Sequence, residues 1–120
     1  MNYTCVCCGV KISPLDIRNK IRAHEHEVSS FYSVSIDLIK SPTRASHVVE
    51  ARHELWYRMV ALEGRSSKWA ANWTGHDHSS VLYGVKHYAG MLHGTPRDAS
   101  LKDIRQAAQA PLLKLMEEAA

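Results

Sequence analysis

A tight turn at Gly75 joins two short segments that both carry helix start signals. Ser66 and Ser67 can cap a helix before the turn, and Asp77 can cap a second helix over residues 78–90. The second helix has an apolar side composed of Val81, Leu82, Val85 and either Tyr88 or Ala89. Two short helices around a glycine turn, the second with a polar outer face, are typical of a helix-turn-helix.

Further helical stretches surround this pair. Ser13 and Pro14 open a predicted helix over residues 14–32, and a short helix or turn is expected over 34–39. A strongly amphipathic helix is predicted over residues 47–63, ended by Gly64. A capping box from Ser100 to Asp103 opens a last helix, which Pro111 should kink or divide. The prediction is an all-α fold, a helix-turn-helix bundle of about five to six helices.

The length of 120 residues suits one domain with short appendages. We predict a cysteine-containing tip over residues 1–12, a helix-turn-helix domain over 13–90, and a linker with a C-terminal helix over 91–120. No apolar run approaches the roughly 18 residues of a membrane span, and no secretory signal is evident. We therefore expect a cytoplasmic protein without a membrane partner.

The net positive charge of the chain comes from its middle segment. The formal net charge is +3, yet lysine and arginine balance the acids in residues 1–39 and again in residues 91–120. The whole excess therefore lies in residues 40–90, which also hold the helix-turn-helix. A locally basic surface favours a polyanionic partner, although a solvated basic face is the common alternative.

Residues 74–83 read Thr-Gly-His-Asp-His-Ser-Ser-Val-Leu-Tyr. This run resembles the signature Gly-Gly-Arg-Asp-His-Thr/Ser-Thr-Val-Leu-His of the C-terminal DNA-binding domain of DnaA, the bacterial replication initiator. Upstream, residues 34–38, the basic loop to Arg44 and residues 48–52 follow the family's order at nearly its spacing. The resemblance covers roughly residues 20–90 and implies a DnaA C-terminal-domain or Trp-repressor-like fold that binds double-stranded DNA at a DnaA-box-like site.

By this resemblance, the helix that begins near residue 78 is the recognition helix. Asp77, His78, Ser79 and Ser80 would then contact base edges or adjoining phosphates in the major groove. Serine in place of threonine removes a methyl group that can touch thymine, so the preferred site is expected to differ from the initiator's. The alternative is that Asp77 is merely a helix cap and the two serines face solvent.

The same resemblance implies contacts from the loop and the long helix. Arg44 falls where the family inserts an arginine into the minor groove, which attracts cations where it is narrow. Arg52 and His53 match positions that contact the DNA backbone or a base. The alternatives are an ordinary exposed loop arginine at Arg44 and a snorkelling Arg52 that covers Trp56.

Four further residues, Ser67, Lys68, His76 and Lys86, complete the predicted DNA-binding set. Ser67 and Lys68 open the first helix of the motif, where free backbone N–H groups favour a phosphate. Lys86 is expected to reach phosphates on the far wall of the groove. His76 replaces the family's arginine before Asp-His, so we expect modest affinity, raised by a homodimer or by a replication or transcription partner.

These features predict a regulator of replication initiation or transcription rather than an enzyme. The chain lacks a Gly-x-x-x-x-Gly-Lys-Ser/Thr motif, so the initiator's ATPase module is not expected. The protein is expected to associate with the nucleoid. The alternative is a protein-interaction module that modulates the replication initiator or another partner.

Three crowded cysteines mark the N-terminal tip, at Cys5, Cys7 and Cys8. Their odd number and spacing do not suit a disulfide framework. Cys5 and Cys8 are candidate ligands of a structural zinc ion, because a tight turn lets two thiolates share one metal. His24 and His26 point about 200° apart on a helix and cannot chelate together. The alternative, which we favour, is an inert tip and no cofactor.

Overall fold

The computed structural model describes residues 14–109 together with two short backbone stretches, Tyr3–Thr4 and Lys11–Ile12, and it describes side chains from Ile17 onward. Its helices are α1 (Pro14–Tyr32), α2 (Ile36–Ile39), α3 (Ser46–Tyr57), α4 (Ser67–Thr74), α5 (His78–His93) and α6 (101–109). Tyr3–Thr4 and Lys11–Ile12 form a minimal antiparallel pair, β1 and β2. The predicted all-α fold of about five to six helices is confirmed.

The long amphipathic helix ends with a widened turn. After α3 the backbone continues as a π-helical turn over Arg58–Leu62, in which the Glu63 N–H donates to the Arg58 carbonyl at 3.0 Å. Gly64 follows with a φ of +69°, a conformation that glycine adopts without steric cost. The predicted end of the helix is therefore correct, whereas its widened last turn was not predicted.

α3 is the central helix of the core. Its buried side chains include Val48, Leu55 and Trp56, and the helix packs against α1, α2 and α5. α5 lies close to α3 at Gly84, where an added Cβ would lie 2.6 Å from Trp56 Cε3. Since real Cβ atoms do not approach so closely, glycine is required for this helix–helix contact.

The two helices of the predicted motif are joined as expected. The Ser66 hydroxyl caps α4 by accepting from the Trp69 N–H at 3.0 Å, and Gly75 ends α4 with a φ of +71°. The Asp77 carboxylate caps α5 by accepting from the Ser79 N–H at 3.0 Å. The turn is also held to α3, because Trp56 Nε1 donates to the buried Thr74 hydroxyl at 3.0 Å. This arrangement fixes how α5 projects from the core.

The segment after α5 returns to the core. α5 continues to His93, three residues beyond the predicted end. The predicted capping box is confirmed. The Asp103 N–H donates to the Ser100 hydroxyl at 3.2 Å, and the Ser100 N–H donates to the Asp103 carboxylate at 3.4 Å. In α6, Ile104 is buried and Arg105 donates to the Val60 carbonyl at 3.0 Å. Pro111 lies outside the described residues.

Within residues 14–109, no helix has both the length and the apolar character that crossing a membrane requires.

Candidate nucleic-acid interface

The first turn of α5 presents polar side chains to solvent. Asp77, His78, Ser79 and Ser80 are all exposed. One Asp77 oxygen caps the helix, while the other lies 3.7 Å from His78 Nδ1. Neither serine hydroxyl has a hydrogen-bond partner among the described residues. These hydroxyls are free to donate and accept hydrogen bonds with a ligand.

A groove of about 630 Å³ separates this turn from the loop before α3. It is lined by Pro42, Arg44, Arg52, His53, Trp56, His76, Ser79, Ser80 and Tyr83. Six of the predicted DNA-binding residues therefore meet at one surface, although they come from three separate parts of the chain. Tyr83 was not among them. Its spacing of four residues from Ser79 places it on the same face of α5, a signal that was present in the sequence.

Arg52 adopts a role that neither interpretation anticipated. It is only 6% exposed, and its Nε donates to the Ile39 carbonyl at 2.8 Å. Its Nη2 donates to the carbonyls of Ser41 and Thr43 at 2.6 and 3.1 Å. Burial lowers the pKa of this guanidinium. Because Nε and Nη2 both donate to backbone carbonyls inside the protein, Arg52 holds the loop in place.

His76 connects the same loop to the turn of the motif. Its Nδ1 lies 2.9 Å from the Thr74 carbonyl and its Nε2 lies 3.1 Å from the Ser41 carbonyl, while the ring contacts Trp56 edge-on. Both oxygens are acceptors, so a neutral ring can donate to only one of them and an imidazolium can donate to both. His76 therefore joins two walls of the groove instead of projecting from it.

A cluster of rings forms the floor of the groove and continues along α5. His53 stacks on Trp56 at 5.9 Å and meets Tyr83 and His87 edge-on at 6.0 and 5.4 Å. Burial lowers the pKa of His53 to about 4, with smaller contributions from His87 and Arg52. His53 is therefore neutral near pH 7. Tyr83 stacks on His87 at 5.9 Å yet remains 63% exposed, so its ring is available to a ligand.

The other predicted residues lie outside this groove. Lys68 is exposed in the first turn of α4, and Ser67 is half-buried there beside the capping residue Ser66. Lys86 lines a neighbouring cavity and not the groove. None of these three residues lines the groove.

The zinc hypothesis concerns residues that the structure does not describe. Cys5 and Cys8 both lie outside the described residues. Among the residues that are described, no group of three or more histidine, cysteine, aspartate or glutamate side chains has the arrangement of a metal site. Zinc binding by the cysteines stays a prediction.

No protein-family model, curated protein or solved structure matches the chain.

Proposed function

We propose that this protein binds specific sequences in double-stranded DNA through a helix-turn-helix, with α5 as the recognition helix. The observation that carries the proposal is the exposed polar first turn of α5, which lies beside a groove that Arg44 also lines. Both belong to the segment that holds the whole positive excess of the chain. The resemblance of residues 74–83 to the DnaA signature supports the same function.

The dimensions of the major groove suit this helix. An α-helix with its side chains is about 10–12 Å wide, and the major groove of B-DNA is about 12 Å wide. With its N-terminus leading, α5 would bring His78, Ser79 and Ser80 to the base edges. The serine hydroxyls can donate or accept hydrogen bonds there, so these short side chains can distinguish the base edges. Tyr83, one turn further along, would lie against the sugar–phosphate wall.

Arg44 is suited to a separate contact beside the recognition helix. It is exposed, and it has no acidic partner among the described residues. The loop that carries it is held by the buried guanidinium of Arg52 and by His76. An arginine on a fixed loop can enter the minor groove at little entropic cost. Ser67 and Lys68 would contact phosphates at the start of α4.

In the cell, such a protein would associate with the nucleoid and regulate replication initiation or transcription. The contacts with DNA proposed above, all from residues 14–109, are hydrogen-bonding and ionic contacts that are suited to binding. The proposal therefore includes no enzymatic activity. A homodimer or a protein partner would raise the affinity of a single modest DNA contact by holding two sites together.

The test begins by selecting bound duplexes from a random pool and measuring their affinity against a scrambled duplex. Replacing both recognition serines, Ser79→Ala with Ser80→Ala, should remove roughly 1–3 kcal/mol of discrimination. Ser30→Ala, which changes an exposed serine on α1, is the matched control and should change nothing. Equal affinity for all duplexes would contradict sequence-specific binding. An absence of salt-dependent binding to any duplex would instead favour a protein-interaction module.

A further inference from the structure

We propose that a second cavity, beside the C-terminal half of α5, binds a small organic anion, a phosphate or carboxylate carried on an apolar body. The cavity has a volume of about 300 Å³ and lies between α5 and the segment that follows it. This volume is at the lower end of the range for small-molecule sites. The cavity shares only Tyr83 with the proposed DNA-binding groove.

Two cationic side chains line the cavity without a counter-charge. Lys86 comes from α5 and Arg97 from the segment after it. Among residues 14–109, no carboxylate lies within ion-pair distance of either side chain. Both charges therefore remain available, and an oxyanion between them would gain charge-assisted hydrogen bonds from two directions.

A buried hydroxyl adds an independent indication of a ligand. Thr95 Oγ1 lines the same cavity and is shielded from solvent, yet it has no hydrogen-bond partner among the described residues. Leaving such a group without a partner costs free energy. A ligand oxygen held by Lys86 and Arg97 would supply the missing partner.

The remaining lining indicates an organic ligand and not a bare ion. Tyr83 and Met91 border the cavity and are 63% and 64% exposed, so both offer apolar surface to a ligand. Covering the Tyr83 ring and the Met91 thioether with an apolar or aromatic group would remove this surface from water. A phosphate of the DNA backbone brings no such group, so the duplex is the poorer fit.

The experiment is a titration of the full chain with phenyl phosphate. Binding is monitored through the amide chemical shifts in two-dimensional NMR spectra. Inorganic phosphate supplies the anion without the apolar body, and phenol supplies the ring without the charge. We expect saturable shifts confined to residues 83–97 with phenyl phosphate, and binding at least about tenfold weaker for either comparison compound. The outcome of this titration does not depend on the proposed DNA binding, because the titration contains no nucleic acid.

Two variants test the assigned residues. Arg97→Ala should weaken the binding of phenyl phosphate by about tenfold or more, and Thr95→Val, which keeps the shape but removes the hydroxyl, by several-fold. Arg18→Ala, an exposed arginine on α1, is the matched control. The proposal would be overturned by non-saturable shifts, by equal binding of inorganic phosphate, or by an Arg97→Ala variant that binds like the unaltered protein. The same spectra verify that each variant is folded.

Discussion

At the scale of single residues, His53 links the core to the proposed DNA surface. Burial against Trp56 and α5 lowers its pKa to about 4, so the folded protein holds this ring neutral. In the unfolded chain its pKa is near the ordinary value of about 6.5. Between these values the unfolded state binds more protons than the folded state. The free energy of unfolding should therefore fall as the pH is lowered from about 6.5 towards 4.

This prediction can be checked by urea denaturation at a series of pH values. His53→Gln removes the titrating ring and should flatten the loss of stability across that interval, because glutamine does not titrate. His26→Gln changes an exposed histidine on α1 and should leave the profile as it is in the unaltered protein. A His53→Gln profile as steep as that of the unaltered protein would show that His53 titrates alike in both states.

At the scale of helices, the close approach of α5 to α3 depends on one glycine. A Cβ at position 84 would lie 2.6 Å from Trp56 Cε3 and 2.7 Å from His53 Cδ2. Helix propensity alone would make Gly84→Ala stabilising by about 1 kcal/mol. Overpacking against two rings outweighs this, and we expect a net loss of about 1–3 kcal/mol by chemical denaturation. Ser30→Ala is the control for an exposed helical site, and an unchanged or higher stability of Gly84→Ala would contradict the contact.

The helix boundaries could be predicted from the sequence where the residues that set them lie close to the boundary. Ser66, Gly75 and Asp77 act on neighbouring backbone atoms, so a short window of sequence contains both cause and effect. The hydrogen bonds of Arg52 reach carbonyls nine to thirteen residues away and depend on how α2 meets α3. The same holds for His76, whose Nε2 partner is thirty-five residues distant. A pattern of residue types contains no information on such distant partners.

At the scale of the whole molecule, the distribution of charge relates the two surfaces of α5. The groove contains Arg44 and the second cavity contains Lys86 and Arg97, while the net charge is only +3. Binding of DNA should therefore depend on a few local cations and not on a strong overall field. The resemblance to DnaA predicted binding residues in the groove, because the DnaA motif covers the start of α5. It offered no indication of the second cavity, which forms only when the segment after α5 folds back.

Because only a few cations are expected to contact DNA, the salt dependence of DNA affinity should report the contribution of each one. The logarithm of DNA affinity should fall linearly with that of salt concentration, by about 0.9 for each phosphate that is neutralised. Arg44→Ala removes one exposed charge from the groove and should reduce the slope by about that amount, with weaker binding at low salt. Arg22→Ala removes a charge that is likewise exposed, on α1, and should leave the slope unchanged. If both variants reduced the slope alike, DNA would be responding to total charge, and the groove would not be its binding site.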